Sequence, residues 1–167
     1  MNRFILLVVF ACFVYGDNCP NIDDITGYWI SPRDEVTGRS AIVEIVKKDG
    51  KYFGYKAVFL DSLPSVNDVN NEKFSLRDRA VIGSVYIYNL ERNALHSYIN
   101  GRYYDFNIGK TFHTRLKLEC DKLVFTISVD NIGMLSSKRI YQYISKDDVK
   151  FYIKNEITPD FSGIDDF

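Results

Sequence analysis

Three arginines are the side chains here best placed to recognise a ligand. Arg77 and Arg79 flank Asp78 just ahead of a run of strand-forming residues, and Arg102 follows Gly101. A guanidinium grips a carboxylate or phosphate through paired N–H donors. Arg79 and Arg102 can therefore anchor an acidic head group, with the Tyr104 hydroxyl as a further donor. The same arginines can instead fasten loops through salt bridges. Catalytic chemistry lacks its parts. His96 and His113 have no Cys, Asp or His at ligand spacing, so no metal site is expected. Nothing like Gly-x-Ser-x-Gly supplies a nucleophile, and no Gly-rich loop cradles a phosphate. The acid pairs Asp23-Asp24, Asp147-Asp148 and Asp165-Asp166 are neighbours in sequence, whose side chains point apart or sit in solvated turns rather than forming an acid–base pair. The expectation is a binding protein without cofactor, not an enzyme.

The N-terminus bears on where such a protein works. Met1-Asn2-Arg3 is a short positive start, and Phe4 to Tyr15 is almost wholly apolar. With Val14-Tyr15-Gly16 before the cut, this is the pattern of a secretory signal over residues 1–16, leaving Asp17 as the first mature residue. The run is shorter than the roughly 20 residues a membrane-spanning helix needs. A periplasmic or secreted protein is expected, with no transmembrane segment after leader removal. Val9-Phe10-Ala11-Cys12 loosely matches a lipoprotein box, a minor alternative that would anchor the chain at Cys12. The formal charge is -1. No basic run gives nucleic acid a surface to bind. After cleavage Cys19 and Cys120 remain, and in an oxidising compartment they are expected to pair as a disulfide.

From Thr26 to Ile144, apolar stretches of strand length recur at hairpin spacing, and long helical periodicity is absent. Eight strands are predicted over about 26–30, 40–47, 51–60, 80–90, 94–104, 110–119, 123–129 and 137–144. They form the single domain, between an N-terminal arm (17–25) and a C-terminal extension (145–167). The clearest alternation puts Phe112, Thr114, Leu116 and Leu118 on one face, and His113, Arg115, Lys117 and Glu119 on the other. One side is therefore buried and the other wet, unlike an outer-membrane barrel. In the 41–59 hairpin, keeping Glu44 and Lys56 in water requires a three-residue Lys48-Asp49-Gly50 loop. That register puts Phe53, Tyr55, Ala57 and Phe59 inside with Ala41, Val43 and Ile45. Residues 149–153 read as strand slightly better than as helix, and fraying is expected beyond Pro159.

Several stretches resemble a known family. They are Gly27-x-Trp29; Ile42-Val43-Glu44-Ile45; Lys48-Asp49-Gly50-Lys51-x-x-Gly54; Leu76-Arg77-x-Arg79 ahead of Ile82-Gly83; Gly101-Arg102-x-Tyr104-Asp105; and Gly109-Lys110-Thr111. Gly-x-Trp on a first strand is the mark of calycins, the superfamily of lipocalins and fatty-acid-binding proteins. The set together is similar to a bacterial family of exported, lipocalin-like proteins whose function is unknown. The resemblance implies an all-β fold, a single eight-stranded antiparallel up-and-down barrel. It also implies that Trp29 packs at a closed end beneath a basic residue of the last strand, Lys138 or Arg139. Where that family carries a Trp-containing segment on its last strand, this chain has Ile140-Tyr141-Gln142-Tyr143.

Such a barrel either fills with side chains or holds one small ligand. Phe53, Tyr55, Phe59, Phe112, Leu116, Phe125 and Ile127 share the predicted inner faces. The expected function is binding or carrying a small hydrophobic or amphipathic molecule, in a pocket open at the end away from Trp29. The alternative is a cell-envelope structural or protein-interaction module with a filled barrel.

Overall fold

The structure, a computed structural model, describes residues 22–61, 63–64 and 66–164. The leader, Cys12 and Cys19 lie outside the described residues, and so does the expected Cys19–Cys120 pairing. Eight strands follow one another: β1 (Gly27–Ile30), β2 (Ala41–Lys48), β3 (Lys51–Phe59), β4 (Val85–Ala94), β5 (Ser97–Asp105), β6 (Lys110–Glu119), β7 (Lys122–Ser128) and β8 (Ser136–Ile144). Each pairs antiparallel with its neighbour in sequence, and β1 also pairs with β8, closing the barrel. This is the up-and-down barrel the sequence predicts. On β6 the alternation holds: Thr114, Leu116 and Leu118 are buried, while Arg115, Lys117 and Glu119 are exposed. Leu116 faces Phe125 across the ladder and Leu118 faces Leu123. The fourth strand starts at Val85 rather than near residue 80, because residues 80–84 pair only through isolated bridges.

The tight-turn end of the barrel is solid. Tyr52 and Tyr98 meet there in a T-shaped contact at 5.0 Å, and the Tyr52 hydroxyl donates to Asp24 at 2.8 Å. Leu90, Leu118, Leu123 and Phe125 are buried alongside, with the Phe125 ring 4.3 Å from that of Tyr141. Trp29 is fully buried, and its indole N–H donates to the Ile25 carbonyl at 2.9 Å. Its ring partner is Tyr143, T-shaped at 5.6 Å. The expected basic neighbour is corrected here. Lys138 is exposed on the outer face, and Arg139 packs over Tyr103 instead. On β8 it is Tyr143, not residue 138 or 139, that pairs with Trp29.

The β2–β3 register also differs from expectation. Lys48 pairs with Lys51 across a two-residue turn in which both Asp49 and Gly50 have positive φ, 50° and 81°. Such a turn matches strand twist best, and Asp-Gly is its usual sequence. A bulge between Ile42 and Val43 shifts the ladder further on. Between the turn and that bulge, the two-residue turn sets Val43 opposite Lys56 and Ile45 opposite Gly54, inside the barrel. Val46 faces Phe53 and Glu44 faces Tyr55, outside it. Phe53, Tyr55 and Ala57 therefore point outward, and Lys56 points in. Glu44 is not stranded, because the Tyr55 hydroxyl donates to its carboxylate.

The outer face of β2 and β3 stays dry because the C-terminal extension covers it. Ser145 caps a short helix, α1 (Lys146–Val149), by accepting from the Asp148 N–H, so residues 149–153 are not a ninth strand. The chain then lies along the barrel wall, with Ile153, Ile157 and Phe161 packed on the core. Phe161 meets Phe53 at 5.4 Å, and the Tyr55 hydroxyl reaches the Ile157 carbonyl at 3.1 Å. Beyond Pro159 the chain is held rather than frayed. Asp160 exchanges backbone bonds with Gly83 and Val85, each 2.9 Å.

Candidate binding site

The loops joining β1–β2, β3–β4, β5–β6 and β7–β8 gather at the other end of the barrel, over a cavity of about 210 Å³. The longest of them, between β3 and β4, is tied down from several sides. Asp68 is buried within it and takes hydrogen bonds from Arg79, Asn71 and Tyr104. Asn70 donates to the carbonyls of Phe106 and Asn107 on the β5–β6 turn. That turn needs Gly109, whose φ is +68° and where a Cβ would sit 1.8 Å from the Asn70 carbonyl oxygen. Arg39 binds Asp61 through two bonds of 2.9 Å and lies 3.6 Å over the Phe59 ring. Asn107 donates to Asp34 at 2.9 Å. The rim is thus preorganised by bonds between loops.

Inside, Phe59, Tyr103, Tyr104, Phe106 and Tyr141 wall the cavity, and Lys56, Arg139, Asp34 and Asp105 bring charge to it. Burial pushes the Lys56 ammonium down to about 8; Asp34 and Asp105 oppose that shift, while Arg139 and Arg39 add to it. Burial raises the Asp34 carboxyl, but hydrogen bonds from Thr37, Asn107 and Val36 outweigh it and leave the group below its ordinary value. Arg139 donates to the Tyr103 hydroxyl at 3.1 Å and lies 3.8 Å from both Asp34 and Asp105. It also borders a shallower hollow of about 390 Å³ lined by Phe112, Ile127 and Leu135.

The residues expected to bind ligand are dispersed. Phe59 and Tyr104 line the main cavity, and Phe112 and Ile127 the adjoining hollow. Leu116 and Phe125 fill the core beneath. Phe53 and Tyr55 lie outside the barrel, under the C-terminal extension. The two arginines proposed as rim anchors are not in the cavity. Arg79 is engaged by Asp68 at 2.8 Å, and Arg102 sits 2.7 Å from His113 across the β5–β6 ladder. Burial and then Arg102 lower the His113 imidazole. The cations that do line the cavity are Lys56, Arg39 and Arg139. Sequence reasoning missed Lys56 because a lysine on a strand is expected in water. Its only signal was the register of an Asp-Gly hairpin.

Among the described residues no group of His, Cys, Asp and Glu is arranged to hold a metal, and no helix is long and apolar enough to cross a membrane.

Residues 27–142 match a family described as "Uncharacterized protein conserved in bacteria (DUF2147)". The chain belongs to this family. Its match covers the barrel from the first residue of β1 nearly to the end of β8, and leaves out the C-terminal extension. No curated protein matches the sequence. Among solved structures the barrel is similar to one described as "Protein HP1028 from the human pathogen Helicobacter pylori belongs to the lipocalin family". The TM-score is 0.73 at 25% identity, over 78% of this chain and 89% of that one. The family member described here is thus a lipocalin-like barrel, an architecture suited to holding a small ligand.

Proposed function

We propose that this protein is exported and carries a small amphipathic molecule in the loop-end cavity, without transforming it. The cavity carries the reading. It is a hollow of about 210 Å³ in a barrel whose other end is packed with side chains. That is below the roughly 300–1,000 Å³ of drug-sized sites, so the guest is small or only partly inserted. Aromatic walls suit its apolar part, and the charged groups suit a polar head. Exposed Val36, Leu63, Val69, Ile108, Ile132 and Met134 all stand on the loops around the opening, where an amphiphile would approach. The likeness to a lipocalin-family protein supports binding over catalysis. The apolar run from Phe4 to Tyr15 supports export.

Native mass spectrometry of mature protein recovered from its own compartment tests both parts. The expected result is a chain beginning at Asp17 with a small molecule bound. Val69→Trp alters an exposed residue of the cavity rim and should lower occupancy with the fold unchanged. Ligand-free protein that also ignores a panel of small amphiphiles would favour a structural or protein-binding role.

A further inference from the structure

The register set by the two-residue Asp49-Gly50 turn puts Lys56 opposite Val43 on the inner wall. Its Nζ lies 5.2 Å from the centre of the Phe106 ring and 5.6 Å from those of Phe59 and Tyr86. Among the described residues, no hydrogen bond or ion pair holds this ammonium. The charged groups facing it come from several elements, and each has a closer partner. Asp34, on the β1–β2 loop, accepts from Thr37 and Asn107. Asp105, at the end of β5, accepts from the Asn107 N–H and lies 3.8 Å from Arg139. Arg39 is neutralised by Asp61, and Arg139 on β8 stands between Asp34 and Asp105. The tyrosines around it, Tyr86, Tyr103 and Tyr141, are all held neutral by burial.

An ammonium half-buried among aromatic rings at the cavity wall, without a direct counter-ion, is stabilised when an anion reaches it. Resting on the carrier function above, we propose that the cavity selects amphiphiles with an anionic head, a carboxylate paired with Lys56 Nζ and steadied by Arg139. Rings around Nζ leave the guest's chain an apolar bed beside that pair.

Octanoate and octanol carry the same chain with and without the charge, so their binding to the full mature protein separates the issues. Octanoate should bind about tenfold or more tightly than octanol, the worth of one charge-assisted hydrogen bond. Lys56→Met should erase that preference, and the unchanged emission of buried Trp29 shows that the variant is folded. Lys56→Arg should restore it. In the wild type, octanoate affinity should fall as pH rises through about 8, where Lys56 loses its proton, and in Lys56→Arg it should not. Equal affinity for the two compounds in the wild type, or a preference that survives Lys56→Met, overturns the assignment and leaves the carrier function standing. Failure of both compounds to bind overturns the two together.

Discussion

The Asp68 carboxylate accepts from both Nε and Nη2 of Arg79, at 3.0 and 2.8 Å, and no part of the Asp68 side chain is exposed. With Tyr104 and Asn71 also donating to it, this pair holds the long β3–β4 loop over the cavity. Removing one partner of a buried pair strands the other charge, which costs about 3–5 kcal/mol. Asp68→Ala should therefore lower the stability measured by urea unfolding by about that much. Arg79→Glu sets two carboxylates together and should destabilise the fold outright. A variant of either kind with wild-type stability would show that the pair does not pin the loop.

Trp29 is the single tryptophan, so fluorescence reports one site. Buried against Tyr143 and bonded to the Ile25 carbonyl, it should emit at short wavelength in the native state and shift to the red on unfolding. Trp29→Ala should cost roughly 3–5 kcal/mol in denaturant titrations, as truncations of large buried aromatics do. A native spectrum typical of water-exposed tryptophan would contradict the packing.

Lys56 makes stability depend on pH in the empty protein. Its folded value, about 8, lies below the ordinary lysine value of 10.5, so in this window the unfolded chain binds more protons than the folded one. Stability from this group should therefore rise between about pH 8 and 10.5, and the full penalty applies below that window. Lys56→Met should make the ligand-free protein more stable at neutral pH, and its advantage should vanish above the window. Thermal unfolding of both proteins across pH checks this, and a destabilised Lys56→Met at pH 7 would refute it.

Cys120 is exposed at the β6–β7 turn with a positive φ of 58°. Pairing with Cys19 would tether the N-terminal arm to the solid end of the barrel. Closing a loop of about 100 residues contributes at most about 4.7 kcal/mol in the chain-entropy picture. Oxidised mature protein should run faster than reduced protein in denaturing gels and show no alkylatable thiol. Two reactive thiols in the oxidised sample would rule the link out.

Strand number, order and the β6 alternation were legible in the sequence because they depend on local pattern and short turns. The register of β2 and β3 was not. Keeping Glu44 and Lys56 in water looks sound when a strand has one dry face and one wet one. Here the second face is dry as well, because Ile153, Ile157 and Phe161 arrive from the end of the chain. That covering gives Phe53 and Tyr55 a reason to point outward, and Tyr55 gives Glu44 a partner. The same slip hid Lys56, and with it the charged side of the cavity. Arg79 and Arg102 were visible as cations, but which of them meets a ligand depends on acceptors distant in sequence. Asp68 claims Arg79, and His113 stands beside Arg102.

Closure of the barrel by Tyr28 against Ile144 has a consequence for how the protein meets others. With both outermost strands joined, the sheet offers no free edge of backbone donors and acceptors for a foreign strand to extend. Aromatic-rich strands that would otherwise invite fibre growth are thereby made safe once the fold is complete. The hazard falls earlier. The first and last strands are far apart in sequence, so both edges stay open until the end of the chain is available. A protein crossing a membrane unfolded would pass through that exposed state each time it is made.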